Sequence, residues 1–126
     1  MKLQHLFTVN LFIALFFGIS CAVLPEWVLR LYGLDLDAGA IWTTRLVGGS
    51  ILGFASLMWF GRTTATAELR RAIALALLIQ DAIGLVASLE VQLGGSMNTL
   101  GWTNPILYGF LAVGYVYFLY IRTGAS

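Results

Sequence analysis

The sequence predicts an all-α integral membrane protein: one transmembrane domain over residues 1–126, folded as an up-down-up-down four-helix bundle. Three observations lead there. First, 60% of the 126 residues are hydrophobic, only 10% are charged, and the mean hydropathy is +0.88. A soluble domain averages roughly 45–50% apolar and about 25% charged. A short chain has little interior per unit surface, so water would face apolar side chains that lipid accommodates. Second, stretches at about 5–24, 38–60, 70–93 and 104–121 are long enough as helices to cross a ~30 Å hydrocarbon layer at ~1.5 Å per residue. Third, their apolarity is continuous and lacks the ~10-residue alternating segments of barrel strands.

The first span carries no Asp, Glu, Lys or Arg from Leu3 to Pro25. Pro25 ends it, because proline cannot continue the hydrogen-bond ladder. Lys2 and the later Gly18-Ile19-Ser20-Cys21 loosely resemble an export signal with a lipoprotein cleavage site. Gly18 stands where such a site wants Leu, Val or Ile, so the segment is expected to be kept as a span. Residues 26–37 alternate Trp27, Leu31, Tyr32 and Leu34 with Glu26, Arg30, Asp35 and Asp37. This amphipathic link is expected to lie along the membrane surface, with its aromatic residues in the headgroup layer.

The second span is interrupted only by Arg45. A polar loop over 61–68 follows, in which Thr66 suits the N-cap of the next helix. The third span carries Gln80, Asp81 and Glu90, and an uncharged Gly- and Asn-rich turn over 94–102 leads to the fourth. Pro105 suits that helix's first turn, where a missing N–H is no loss. Lys2, Arg62, Arg70, Arg71 and Arg122 fall on the side of the two termini, while Arg30 on the other side stands beside three acidic residues. The positive-inside rule then puts both termini in the cytoplasm. The expected location is the inner membrane.

In chain order, P-E-W-V-L-R-L-Y-G-L, T-R-L-V-G-G-S-I-L-G-F, E-L-R-R-A-I-A-L-A-L-L-I-Q-D-A-I-G and N-T-L-G-W are followed by an aromatic last helix. This succession resembles the small uncharacterised bacterial four-helix membrane proteins of the DoxX-like and related domain-of-unknown-function type. The resemblance covers nearly the whole chain. It implies the fold and brings no assigned chemistry.

An intramembrane polar cluster of Arg45, Asp81, Glu90 and Gln80 is the sharpest functional signal. A charge within a span costs about 3 kcal/mol on insertion scales, so such residues face the bundle interior and find partners. With the second and third helices aligned as a hairpin, Arg45 falls level with Val86. That is about five residues (~7.5 Å) from Asp81 and about four (~6 Å) from Glu90. An interhelical ion pair that locks the hairpin is the leading reading. A proton, ion or headgroup site in a wet cavity is the second, and Arg45 snorkelling alone to the interface is the third.

Small residues stripe the helices: Ala14, Gly18 and Ala22 in the first, Gly49, Gly53 and Ser56 in the second, Gly84 with its neighbours at spacing four in the third. Lipid supplies no hydrophobic drive for helix association, and small residues permit the close approach that replaces it. These stripes are expected to pack inside the bundle, with a face for another subunit as the alternative. Trp27, Tyr32, Trp42 and Trp102 are read as interface aromatics. The fourth span's Tyr108, Phe110, Tyr115, Tyr117, Phe118 and Tyr120 form an interface belt or a wall against a lipid, quinone or pigment.

His5 has no ligand partner at metal spacing, so no metal or cofactor is expected. Cys21 reads as a small buried apolar residue. No phosphate loop, zinc motif or nucleophile elbow occurs, and a net charge of +1 gives no basic field for nucleic acid. The leading expectation is therefore non-catalytic: a small subunit or assembly partner of a membrane complex, or a self-associating bundle. A small carrier built on the polar cluster, or a lipid-, quinone- or pigment-binding protein, is the alternative. An enzyme is the least favoured class.

Overall fold

The computed structural model describes residues 2–63 and 66–121, and among them there is no strand. Five α-helices form: α1 (Leu3–Val23), α2 (Pro25–Leu31), α3 (Ala38–Thr63), α4 (Ala67–Leu93) and α5 (Thr103–Val116). A 3₁₀ turn, Thr99–Trp102, leads into α5, and a π-helical turn, Tyr117–Ile121, extends it. Arg122, Thr64 and Ala65, which entered the charge and loop readings above, lie outside the described residues.

Local chemistry sets most of these bounds. Pro25 stands at the start of α2 rather than inside α1, where it costs no hydrogen bond. Thr66 caps α4 through Oγ1, which accepts from Leu69 N at 3.2 Å. The two tight reversals place glycine at positive φ, Gly33 at 71° and Gly95 at 77°, a region that side-chain-bearing residues avoid.

α1, α4 and the run Thr99–Ile121 are long and apolar enough to cross a membrane. α3 is the 26-residue exception. At ~1.5 Å per residue it has ample length, but Thr43, Thr44, Arg45, Ser50 and Ser56 dilute its apolarity.

The helices pack as two antiparallel pairs. α3 runs back along α1, with Gly61 beside Phe7 at one end and Gly48 against Gly18 and Ala22 at the other. α5 runs back along α4, with Tyr108 over Gly84 and Arg71 Nη1 donating to Leu119 O at 3.4 Å. The pairs meet in a solid core at the end where α1 begins. Leu3, Leu6, Phe7, Leu77 and Tyr115 are fully buried there, and the Phe7 and Tyr115 rings lie 5.9 Å apart.

The α1–α3 crossing is the tightest joint. A Cβ added at Gly48 would lie 2.5 Å from Ala22 N and 2.8 Å from Gly18 O, both backbone atoms that cannot step aside. At the next residue, Gly49, a Cβ would meet nothing within 4 Å. Gly48→Ala is therefore expected to destabilise the protein by about 1–3 kcal/mol through overpacking. Gly49→Ala should be neutral or stabilising by up to about 1 kcal/mol, the helix-propensity gain. Thermal unfolding of both variants in detergent checks the contrast, and equal midpoints would refute it.

Candidate functional site

Beyond the solid core, the two helix pairs separate around a cavity of about 370 Å³. α1 contributes Asn10, Ala14, Phe17 and Cys21; α3 contributes Thr43, Thr44, Val47, Ile51 and Phe54. α4 contributes Gln80, Asp81, Gly84, Ser88 and Val91, and α5 contributes Asn104, Tyr108 and Leu111. The α4 lining residues from Gln80 to Val91 span ~16 Å along the axis, about half of a hydrocarbon layer.

Side-chain size explains the hollow. Gln80, Gly84 and Ser88 recur at spacing four, which aligns them on one face of α4. Gly84 admits the Tyr108 ring, since a Cβ there would sit 2.6 Å from a ring carbon. α2 closes the far end with buried Val28, Leu29 and Tyr32. Tyr32 OH donates to Asn104 Oδ1 at 3.2 Å and lies 3.4 Å from Thr103 Oγ1. Asn98 ties α2 down: its Nδ2 donates to Leu31 O at 2.7 Å and its backbone N to Tyr32 O at 3.0 Å.

Two buried polar groups mark the deep end. Asn10 Nδ2 donates to Tyr115 OH at 2.7 Å, joining α1 to α5. Asp81 is 3% exposed, and its Oδ2 has no hydrogen-bond partner. Among the described residues lining the cavity, Asp81 is the one carboxylate, and no Lys, Arg or His joins it. The site thus offers an apolar chamber with one acidic acceptor at its floor. No group of three or more His, Cys, Asp or Glu side chains assembles among the described residues.

The predicted polar cluster divides. Gln80 and Asp81 line the cavity, whereas Arg45 and Glu90 are exposed. No ion pair joins these residues among those described, so the structure does not form the expected Arg45–Asp81 lock. Levelling along a hairpin ignores rotation: Thr44 lines the cavity, and Arg45 lies about 100° further around the helix.

The small residues divide as well. Gly18 packs against Leu52 and Gly84 against Tyr108, but Gly49 and Gly53 meet nothing within 4 Å. Ser56 is exposed and donates to Gly53 O at 2.7 Å. Trp27, Trp42 and Trp102 are exposed. Tyr32, read from the sequence as an interface aromatic, is instead buried as part of the cavity's end wall, because its hydroxyl finds partners on the α5 side. His5 is exposed, with Nδ1 accepting from Lys2 N at 3.1 Å.

Sequence reasoning passed over Gly48 and Asn10, and Tyr108 stands in it only as one of the fourth span's aromatics, not as the partner of Gly84. Asn10 did carry a signal, as a lone amide within the first span, where a polar side chain needs a partner. No family model, curated protein or solved structure matches the chain.

The Asn10–Tyr115 bond yields a direct expectation. Tyr115→Phe leaves Asn10 buried without its partner and should cost about 1 kcal/mol. Adding Asn10→Leu should recover much of that loss, since no polar group is then stranded. Unfolding midpoints of the two singles and the double decide it, and strictly additive losses would show that the bond contributes nothing.

Proposed function

We propose that this chain is an inner-membrane protein with four spans and both termini cytoplasmic, and that it binds a small lipophilic cation in the cavity between its helix pairs. The topology draws support from three helices of spanning character and from α3, which packs along α1 and so shares its layer. Lys2, Arg62, Arg70 and Arg71 at one end favour that end as the cytoplasmic one. The DoxX-like resemblance belongs to the same proposal and concerns the fold alone.

The observation that carries the binding reading is the Asp81 carboxylate, buried and with an unpartnered oxygen inside an apolar chamber. Intramembrane carboxylates are costly to keep and pair with something. Arg45 points elsewhere, so a positively charged ligand group is the complementary partner. The volume lies within the range of about 300–1,000 Å³ usual for small-molecule pockets. Apolar walls then suit the body of a molecule that partitions into lipid. The role is non-catalytic: binding, or carriage across the bilayer.

The test compares two probes against the protein in nanodiscs, tetraphenylphosphonium as a lipophilic cation and decylubiquinone as a neutral quinone. Asp81→Asn is expected to weaken the cation roughly tenfold or more, equivalent to about 1.4 kcal/mol. It should leave the quinone unchanged. Equal binding of the cation to both proteins would remove the reading.

A second reading, an assembly subunit or self-associating bundle, has its own observation. Gly49, Gly53 and Ser56 face outward on α3 with no neighbour against the glycines, the pattern that lets a second helix approach. A cysteine at Gly53, oxidised or crosslinked in native membranes, should then capture a copy of the chain or a larger complex. A product that stays at monomer mass counts against it.

A further inference from the structure

A second concavity lies on the outside of the molecule and has no part in the cavity described above. It is a groove of about 390 Å³ between α1 and α3, lined by Phe12, Leu15, Leu52, Ser56 and Trp59, with Arg62 furthest along α3. We infer that this groove holds one acyl chain of an anionic phospholipid, with Arg62 receiving the headgroup phosphate.

The dimensions fit one leaflet. From Leu52 to Arg62 the wall of α3 rises ~15 Å, half of a ~30 Å hydrocarbon layer. An acyl chain of one leaflet covers the same depth, from headgroup to midplane. Arg62 stands at the end of the helix pairs where Lys2, Arg70 and Arg71 also lie. That is the depth at which a phosphate lies.

The charge fits too. Arg62 is the charged residue of the groove, and no carboxylate lines it. Its guanidinium carbon sits 4.3 Å from the centroid of a Trp59 ring, which fixes the side chain in place. Its Nε is buried and donates to nothing. The neighbouring arginines are differently engaged: Arg70 Nε donates to Gly61 O at 2.9 Å, and Arg71 Nη1 reaches Leu119 O. A guanidinium recognises phosphate through paired N–H groups. The surrounding positive field selects a net-negative headgroup over a zwitterionic one. This inference shares the membrane reading with the proposed function and is independent of the cavity.

The experiment is native mass spectrometry of the full chain released from nanodiscs of equimolar phosphatidylglycerol and phosphatidylcholine. The wild type should retain one phosphatidylglycerol per chain in preference to phosphatidylcholine. Arg62→Gln should abolish the preference. Ser56→Trp, which fills the groove and leaves Arg62 intact, should abolish retention altogether. Asp81→Asn should leave retention unchanged, which separates this result from failure of the cavity reading. Unfolding midpoints of both groove variants in detergent establish that each is folded. Should either one fail to fold, Arg62→Met, which keeps an aliphatic stem and removes the charge and the N–H donors, and Ser56→Leu take their places with the same expectations. The inference is overturned by equal retention of the two lipids by wild type, by a preference that survives loss of Arg62, by retention that survives the filled groove, or by a dimer that occupies the face without lipid.

Discussion

Backbone approach at Gly48 is the constraint on which the rest of the structure depends. In lipid, apolar surface gains little by leaving one oily environment for another, so helices hold together where atoms fit closely. The α1–α3 crossing supplies that fit, with the Gly48 position directly on the backbone of Gly18, Cys21 and Ala22. Once these helices close at that end, their residues at the other end converge on Phe7, Met58 and Tyr115. The pairing sets where α4 and α5 can dock, and the docking leaves one half of the interior filled and the other half hollow.

Polar groups follow the same division. In the filled half, Asn10 and Tyr115 satisfy one another, which removes most of the cost of placing an amide in a span. In the hollow half, Tyr32, Asn98, Thr103 and Asn104 satisfy one another around the end wall. Asp81 lies between these networks and joins neither through Oδ2. Natural interiors seldom leave such a group unpaired without a reason. A group that is paired only when something else arrives is one such reason, and Asp81 is the one carboxylate in an otherwise uncharged lining.

Much of the fold was legible because its signals are local. Pro25 marks the break between α1 and α2, Thr66 marks the start of α4, and Pro105 falls in the first turn of α5. Each acts through its own backbone or its nearest neighbours, so no tertiary knowledge is needed. The site was less legible because it depends on rotation about helix axes. Asp81 and Gln80 were singled out by their cost in a membrane, and both line the cavity. Depth alone joins Arg45 to them, and it faces away. Four-residue spacing favours Gly49 over Gly48, yet adjacent residues differ by about 100°, and it is Gly48 that meets α1. A sequence gives the height of a side chain in the bilayer far better than it gives the direction it faces.

That division also constrains how anything reaches Asp81. The end where α1 begins is closed by packed Leu3, Phe7, Leu77 and Tyr115. The opposite end is closed by α2, held through Asn98 and Tyr32. Along the sides, α1 grips α3 and α4 grips α5, whereas the two pairs touch each other sparsely, α3 against α4 and α1 against α5. For the binding role proposed above, an approach to the carboxylate would therefore run between the two pairs, from the acyl chains rather than from water. On the proposed reading, an occupant taking that path would already be dissolved in the bilayer, a property that suits the phenyl, aliphatic and thiol surfaces of the chamber. Asp81 would then distinguish among lipid-soluble molecules by charge, so that on this proposal path and pocket ask for the same two properties in one molecule.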